Sequence, residues 1–192
     1  MTRSTIRRTE RAVHDPAVRD AILDEALICH VGFVVDGHPV VIPTIHARIG
    51  DRLYLHGSGA SSLLKKARDG ADVSVCVTIL DGLVLAKSVF HHSMNYRSVV
   101  VFGRAERVTD EAEKLEALRG ITNHVQSGRW DEARQPRADE LTQTIVVRIS
   151  LEESSTKART GPPIEDPADV DLDVWSGVVP IRAERGRPIV AE

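Results

Sequence analysis

A chain of 192 residues with a formal net charge of -3, 42% hydrophobic and 28% charged residues, has the size and composition of one well-cored globular domain rather than two. Its near-balanced charge offers no footprint for nucleic acid, and no apolar run approaches the roughly 18 residues of a membrane span. Cys29 and Cys76 lack CxxC or histidine spacing, which leaves no disulfide framework and no structural zinc site, and MTRSTIRRTERAV has no apolar signal-peptide core, so the cytoplasm is the expected compartment.

Residues 1–14 are basic and polar without a sustained period and read as a flexible arm that frays or lies on a partner subunit, with a single domain over 15–192. Asp15 as cap, Pro16 in the first turn and apolar Val18, Ala21, Ile22, Ala26 and Cys29 predict a helix from about 16 to 28. His30–Val35, the Asp36-Gly37 turn and Pro39–Ile49 predict a β-hairpin, and Arg52–His56 alternates as a third strand with one polar face.

In HGSGASSLLKKARDG, from His56 to Gly70, a strand runs through a small-residue loop into a serine-capped helix that ends at Gly70. Backbone N–H groups and serine hydroxyls at such a helix start meet the physical requirement for holding a phosphate, although neither the Walker pattern nor the dinucleotide fingerprint is present.

Val73–Leu80 predicts a strand, Asp81-Gly82 a turn, and Leu83–Ala86 an extension into Lys87-Ser88. The stretch HHSMNYRSVVVFGR, His91 to Arg104, then joins a polar cluster to a β-branched core strand, which packing makes a rigid support for a ligand site. His91 and His92, if on a strand, face opposite sides and do not both line one pocket. Arg104–Val108 is expected to continue that strand. Asp110 with Glu113 has capping-box spacing ahead of a helix carrying Leu115, Leu118, Ile121 and Val125; Gly128–Arg137 reads as loop, Asp139–Gln143 as a short helix and Thr144–Ile149 as a strand. Beyond Glu152 the chain is expected to loosen. Residues 161–173 form an acidic, proline-bearing surface crossing, and the apolar Val174–Ile181 segment must pack on this subunit or another. Short strands at close turns with few helices describe a small antiparallel β-barrel of the α+β class.

The order of PVVIPT, LYLHGS, paired serines before a helix, NYRSVVVFG and a late VWSGVVP resembles the pyridoxamine 5′-phosphate oxidase-like flavoproteins, closest to their nitroimidazole-resistance-type branch, over about residues 15 to 181. The resemblance implies an FMN-binding split barrel, as a homodimer with the cofactor site shared between subunits. It places Val41, Ile42, Pro43, Thr44 and His56 along the isoalloxazine and ribityl chain, in a groove with Gly57 and Ser58. It places Ser61 and Ser62 at the phosphate, Arg97 and Ser98 against the flavin, Lys65 or Arg97 as the cation for the phosphate, and Trp175 on the flavin held mainly by the neighbouring subunit. His56, His91, His92 and Tyr96 are candidates for flavin contact or proton donation. Pyridoxamine phosphate oxidases proper carry arginine and lysine where this chain reads PVVIPT, and basic phosphate ligands where it has Ser61-Ser62, which argues against vitamin oxidation itself. The expected function is an FMN-dependent oxidoreductase that takes electrons from NAD(P)H or another donor to reduce a small organic substrate; the alternative is a flavin- or haem-binding module without turnover.

Overall fold

The structure, a computed structural model, describes residues 3–59, 61, 64, 65 and 70–191. These fall into two compact units, the first built from residues of 1–78 and 98–157, the second from 79–97 and 158–192.

In the first unit, Asp15 caps helix α1 (Pro16–Glu25) by accepting the Ala17 N–H at 2.9 Å, with Pro16 in the first turn, where no N–H donor is needed. Ile22 and Leu23 turn inward and are fully buried. Strands β2 (Ile28–Val35) and β3 (His38–Ile45) form the predicted hairpin around Asp36-Gly37, both at positive φ as a tight two-residue turn demands. The returning strand does not run to Ile49. It breaks at His46, and β4 (Ala47–Ile49) joins a different sheet. The break follows from burial: His46 is 0% exposed, and its ring Nε2 donates to the Leu23 carbonyl at 2.9 Å, capping one of the orphan carbonyls at the end of α1. His124 does the same for the Ala26 carbonyl at 2.8 Å, and the two imidazole centroids lie 5.1 Å apart.

One sheet has the order β1 (Ala12–Val13), β10 (Ser154–Arg159), β7 (Ser93–Arg104), β6 (Asp72–Leu85), β2, β3; the other has β4, β5 (Arg52–Ser58), β9 (Thr144–Ser150), β8 (Glu106–Arg107), and the pairs β1–β10, β2–β3, β2–β6, β4–β5, β5–β9 and β8–β9 are antiparallel. Neither path closes on itself, which is the split-barrel form of the α+β class. Arg104–Val108 does not continue β7: Ala105 breaks it and β8 crosses to the second sheet. Beyond Glu152 the chain does not loosen but forms β10, against which the arm lays β1.

Helix α2 (Glu111–Val125) starts where Asp110 accepts the Glu113 N–H at 2.8 Å, but the Glu113 side chain does not return to the cap. It accepts from Tyr54 Oη at 2.9 Å and from Arg148, tying the helix to the second sheet. Tyr54 is consequently buried, in a cluster with Ala47, Val108, Ala117, Ile121 and Val146, so β5 has both faces covered rather than one polar face. Gly120 permits this approach, since a Cβ there would stand 2.9 Å from Ile49 Cδ1. The expected loop after Gly128 contains a turn of helix α3 (Arg129–Glu132), and α4 (Ala138–Gln143) follows as predicted.

In the second unit Asp81-Gly82 is not a turn. β6 passes straight through it, and β11 (Gly177–Pro180) pairs there with Pro180 opposite Gly82. A Cβ on Gly82 would lie 2.9 Å from the Val179 carbonyl oxygen, so the glycine serves close pairing instead of reversal. The acidic crossing is pinned rather than free: Lys87 offers its N–H to the Glu165 carboxylate and its ammonium to the Val170 and Leu172 carbonyls, while buried Asn95 donates to the Gly161 carbonyl at 3.1 Å. No helix among the described residues is long and apolar enough to cross a membrane.

Candidate functional site

Strand β2 is two-faced. Cys29, Val31 and Phe33 point into the core, and burial pushes the Cys29 thiol up to about 12, which makes it an inert core residue. Ile28, His30, Gly32 and Val34 point the other way, and Ile28 and Val34 are more than half exposed. The pairing registers line up two rows across this outer face, Val41–Gly32–Ser74 and Pro43–His30–Cys76. Val41 is 64% exposed, and β3 is a sheet edge. An outward sheet face ordinarily carries polar residues, so a run of exposed Ile28, Val34, Val41 and Ile45 marks a surface made to be covered. Gly32 sits in its middle. A Cβ there would meet Ser74 Oγ at 2.9 Å and Val41 Cγ2 at 3.9 Å, so its absence leaves a shallow apolar cradle between them. That shape suits a flat aromatic ring system.

Val41 to Thr44 therefore lie on this edge strand, with Val41 and Pro43 on the outer face. His56, Gly57 and Ser58 end β5, opposite Val146, Ile145 and Thr144. Gly57 lets the helical Leu64-Lys65 turn settle on the strand, because a Cβ would be 2.9 Å from Leu64 Cδ1. The Ser61 N–H donates to the Ser58 carbonyl at 3.0 Å and the Lys65 N–H to the Ser61 carbonyl at 2.9 Å, so Ser61 opens a helical turn and Lys65 stands exposed beside it. Ser62 and most of the predicted helix to Gly70 lie outside the described residues.

His56 is half-buried, with its Nδ1 sealed from solvent and without a hydrogen-bond partner; burial holds the imidazole below its ordinary value, favouring the neutral form. His46 Nδ1 is equally orphaned, but that ring is sealed by α1 and His124. Ser98 is half-buried on β7 in the same unit.

In the second unit Tyr96 is half-buried and Arg97 forms a two-point ion pair with Asp81, at 3.0 and 2.7 Å. Arg97 thus has a carboxylate partner within its own unit. Trp175 is 65% exposed and precedes β11 rather than entering a core. His91 and His92 are not on a strand: a 3₁₀ turn, Val89–His91, ends there, His91 packs edge-on to Phe90, and His92 Nε2 lies 3.2 Å from the Ala86 carbonyl oxygen. Among the described residues no group of three or more His, Cys, Asp or Glu side chains is placed to hold a metal ion. Gly32, Ser74, His30 and Cys76 were not legible as site residues from their own segments. Apolar residues on both parities of Ile28–Val35 were the one available signal.

The family model of pyridoxamine 5′-phosphate oxidase matches residues 15–158. The flavocytochrome Anf3 of Azotobacter vinelandii is 40% identical, over 100% of this chain and 89% of that one, with a TM-score of 0.93. An FAD and haem binding protein of Mycobacterium smegmatis is 34% identical, over 94% of this chain and 89% of that one, with a TM-score of 0.90. A 5-nitroimidazole antibiotic resistance protein of Bacteroides thetaiotaomicron shares the fold at 24% identity, over 76% and 85% of the two chains, with a TM-score of 0.60. No curated protein matches. With three quarters of its length covered by one family model and two near-full-length structural relatives above 30% identity, the chain belongs to the pyridoxamine 5′-phosphate oxidase-like flavin-binding family.

Proposed function

We propose that this protein is a flavin-dependent oxidoreductase of the cytoplasm, acting as a homodimer, in which the outer face of β2 and β3 carries the isoalloxazine ring. The observation that carries the reading is the exposed apolar face centred on the Gly32 cradle, in a chain of a flavin-binding family. Val41 and Pro43 would support the ring, Ser74 would border it, and the helical turn opened by Ser61, with Lys65 beside it, would meet phosphate. The flavin, when bound, supplies hydride and single-electron chemistry. What the protein adds is an apolar bed that excludes water and a half-buried imidazole, His56, that burial keeps neutral.

The resemblance in the sequence leads to FMN, whereas of the two relatives above 30% identity, the flavocytochrome and the FAD and haem binding protein, the second favours FAD. A second subunit is supported by the exposed apolar face and by Trp175, whose indole is too exposed to be serving a core in one chain.

A second reading, haem beside flavin, is supported by the same two relatives and by His56. Haem iron takes an imidazole nitrogen, and His56 has a ring nitrogen unclaimed by any carbonyl, unlike His46, His92 and His124, whose Nε2 atoms lie at backbone oxygens.

The absorption spectrum of the purified protein, with chromatography of the released cofactor, tests both readings. Flavin bands that NAD(P)H or dithionite bleaches are expected, with a Soret band if haem is held. A protein that stays colourless when titrated with FMN, FAD and haemin would overturn the function, and flavin bands without any Soret band would overturn the haem reading alone. Turnover with a nitroaromatic or quinone probe separates an enzyme from a binding module.

A further inference from the structure

At the edge of the longer sheet opposite β3, the arm that precedes α1 closes over β10 and leaves a cavity of about 340 Å³, at the lower end of the roughly 300–1,000 Å³ typical of small-ligand pockets. Hydroxyls dominate its wall: Ser4, Thr5, Thr9, Ser154, Ser155 and Thr156. Thr156 is the telling one. It is 5% exposed, and the described residues form no hydrogen bond to its hydroxyl. Among the described residues the only buried polar side-chain atoms both sealed and unpartnered are the Nδ1 atoms of His46 and His56, so the Thr156 hydroxyl, without a partner among those residues, keeps contact with the cavity. A hydroxyl in that position lacks a partner unless something enters.

The charges around the cavity decide what enters. Arg19 spends its guanidinium on Asp20, at 2.8 Å from both Nε and Nη2, and on the Leu151 carbonyl. Asp15 spends its carboxylate on the start of α1 and lines the same cavity. His14 is the remaining titratable group in the lining. With no uncommitted arginine and a carboxylate at the rim, the cavity disfavours an anion. Ile6, Val13 and Pro16 add apolar surface to a lining of hydroxyl donors and acceptors, the mixture that suits a molecule with C–H faces and hydroxyl edges.

We propose that this cavity is a second ligand site, independent of the flavin reading, for an uncharged polyhydroxylated molecule the size of a pentose or its alditol. The arm is its roof. It is held by the Arg3–Glu153 ion pair, by Arg3 over the Phe102 ring and by the two-residue pairing of β1 with β10, so occupancy should tighten it.

The test titrates the full-length protein, as purified, with D-ribose, ribitol and inorganic phosphate, following amide NMR shifts and trypsin cleavage at Arg7 and Arg8. Saturable millimolar shifts of residues 4–19 and 154–156 with ribose or ribitol, slower cleavage of the arm, and an affinity about three- to tenfold weaker in Thr156→Val but restored in Thr156→Ser are expected. Absence of saturation with both polyols, an unchanged affinity in Thr156→Val, or equal losses in Val and Ser variants would overturn the site. Shifts with phosphate alone would overturn the uncharged class.

Discussion

His46 and His56 share a chemical predicament and differ in what surrounds it. Each is held neutral by burial and each has an Nδ1 without a partner. His46, however, donates from Nε2 to the end of α1, packs against His124 and is wholly enclosed, whereas His56 closes β5 with no carbonyl claiming its ring. An orphaned nitrogen alone therefore does not mark function; what separates the two rings is that His46 is wholly enclosed while His56 is only half-buried. On the function proposed here the first histidine serves stability and the second chemistry, and substitutions at the two positions should separate accordingly.

The largest expected effect is on folding. His46→Ala removes a buried ring and uncaps the Leu23 carbonyl, and should cost roughly 2–4 kcal/mol in chemical denaturation while leaving flavin affinity in the surviving folded protein unchanged. His56→Ala should do the reverse, costing under about 1 kcal/mol and weakening or abolishing the Soret band. Equal losses of stability at the two positions would erase the distinction.

Protonation should draw the same line. Burial lowers the folded-state value of His46 below its ordinary 6.5, and His124 lowers it further, against the opposing pull of the Leu23 carbonyl and Asp24. The unfolded chain thus binds this proton more readily than the folded one. The stabilisation is complete above 6.5 and is lost as pH falls from there through the folded value. Melting temperature should decline between about pH 7.5 and 5.5, and His46→Gln, which keeps a donor for Leu23 and cannot titrate, should flatten part of that decline. A slope identical to wild type would mean that His46 does not govern it.

A smaller effect on stability, with a selective one on cofactor, is expected at Trp175. Its indole is largely exposed, so Trp175→Ala should change apoprotein stability by less than about 1 kcal/mol but weaken flavin binding about tenfold if the partner subunit brings it to the site. Sedimentation of the wild type should give a dimer mass. A monomer, or an unchanged affinity in the variant, would remove Trp175 from the site.

Much of the fold was legible because hydrophobic period and turn chemistry agree: Asp36-Gly37, the Asp15 and Asp110 caps, and the β-branched runs of β6, β7 and β9 all stand where local rules put them. What was hidden depended on contacts distant in sequence. His46 breaks a strand because α1 needs its ring, Gly82 looks like a turn because its partner, β11, lies nearly a hundred residues away, and β10 is recruited from a polar segment by β7 and β1. Val41 to Thr44 were named through resemblance, yet Gly32 and Ser74, which flank the cradle beside them, entered only with the strand registers. Arg97, which the same resemblance places against the flavin, has a feature that only the structure shows, a two-point grip on Asp81.

The claim that the outer face of β2 holds the flavin ring rests most directly on Gly32. Val suits a strand, and at position 32 its Cβ would stand 2.9 Å from Ser74 Oγ, 3.7 Å from the Ser74 carbonyl oxygen and 3.9 Å from Val41 Cγ2, so its side chain would fill the cradle between them. Titration of Gly32→Val apoprotein with FAD and FMN should show an affinity at least about tenfold weaker than wild type at an unchanged apoprotein melting temperature. Wild-type affinity in that variant would place the flavin elsewhere and contradict the account.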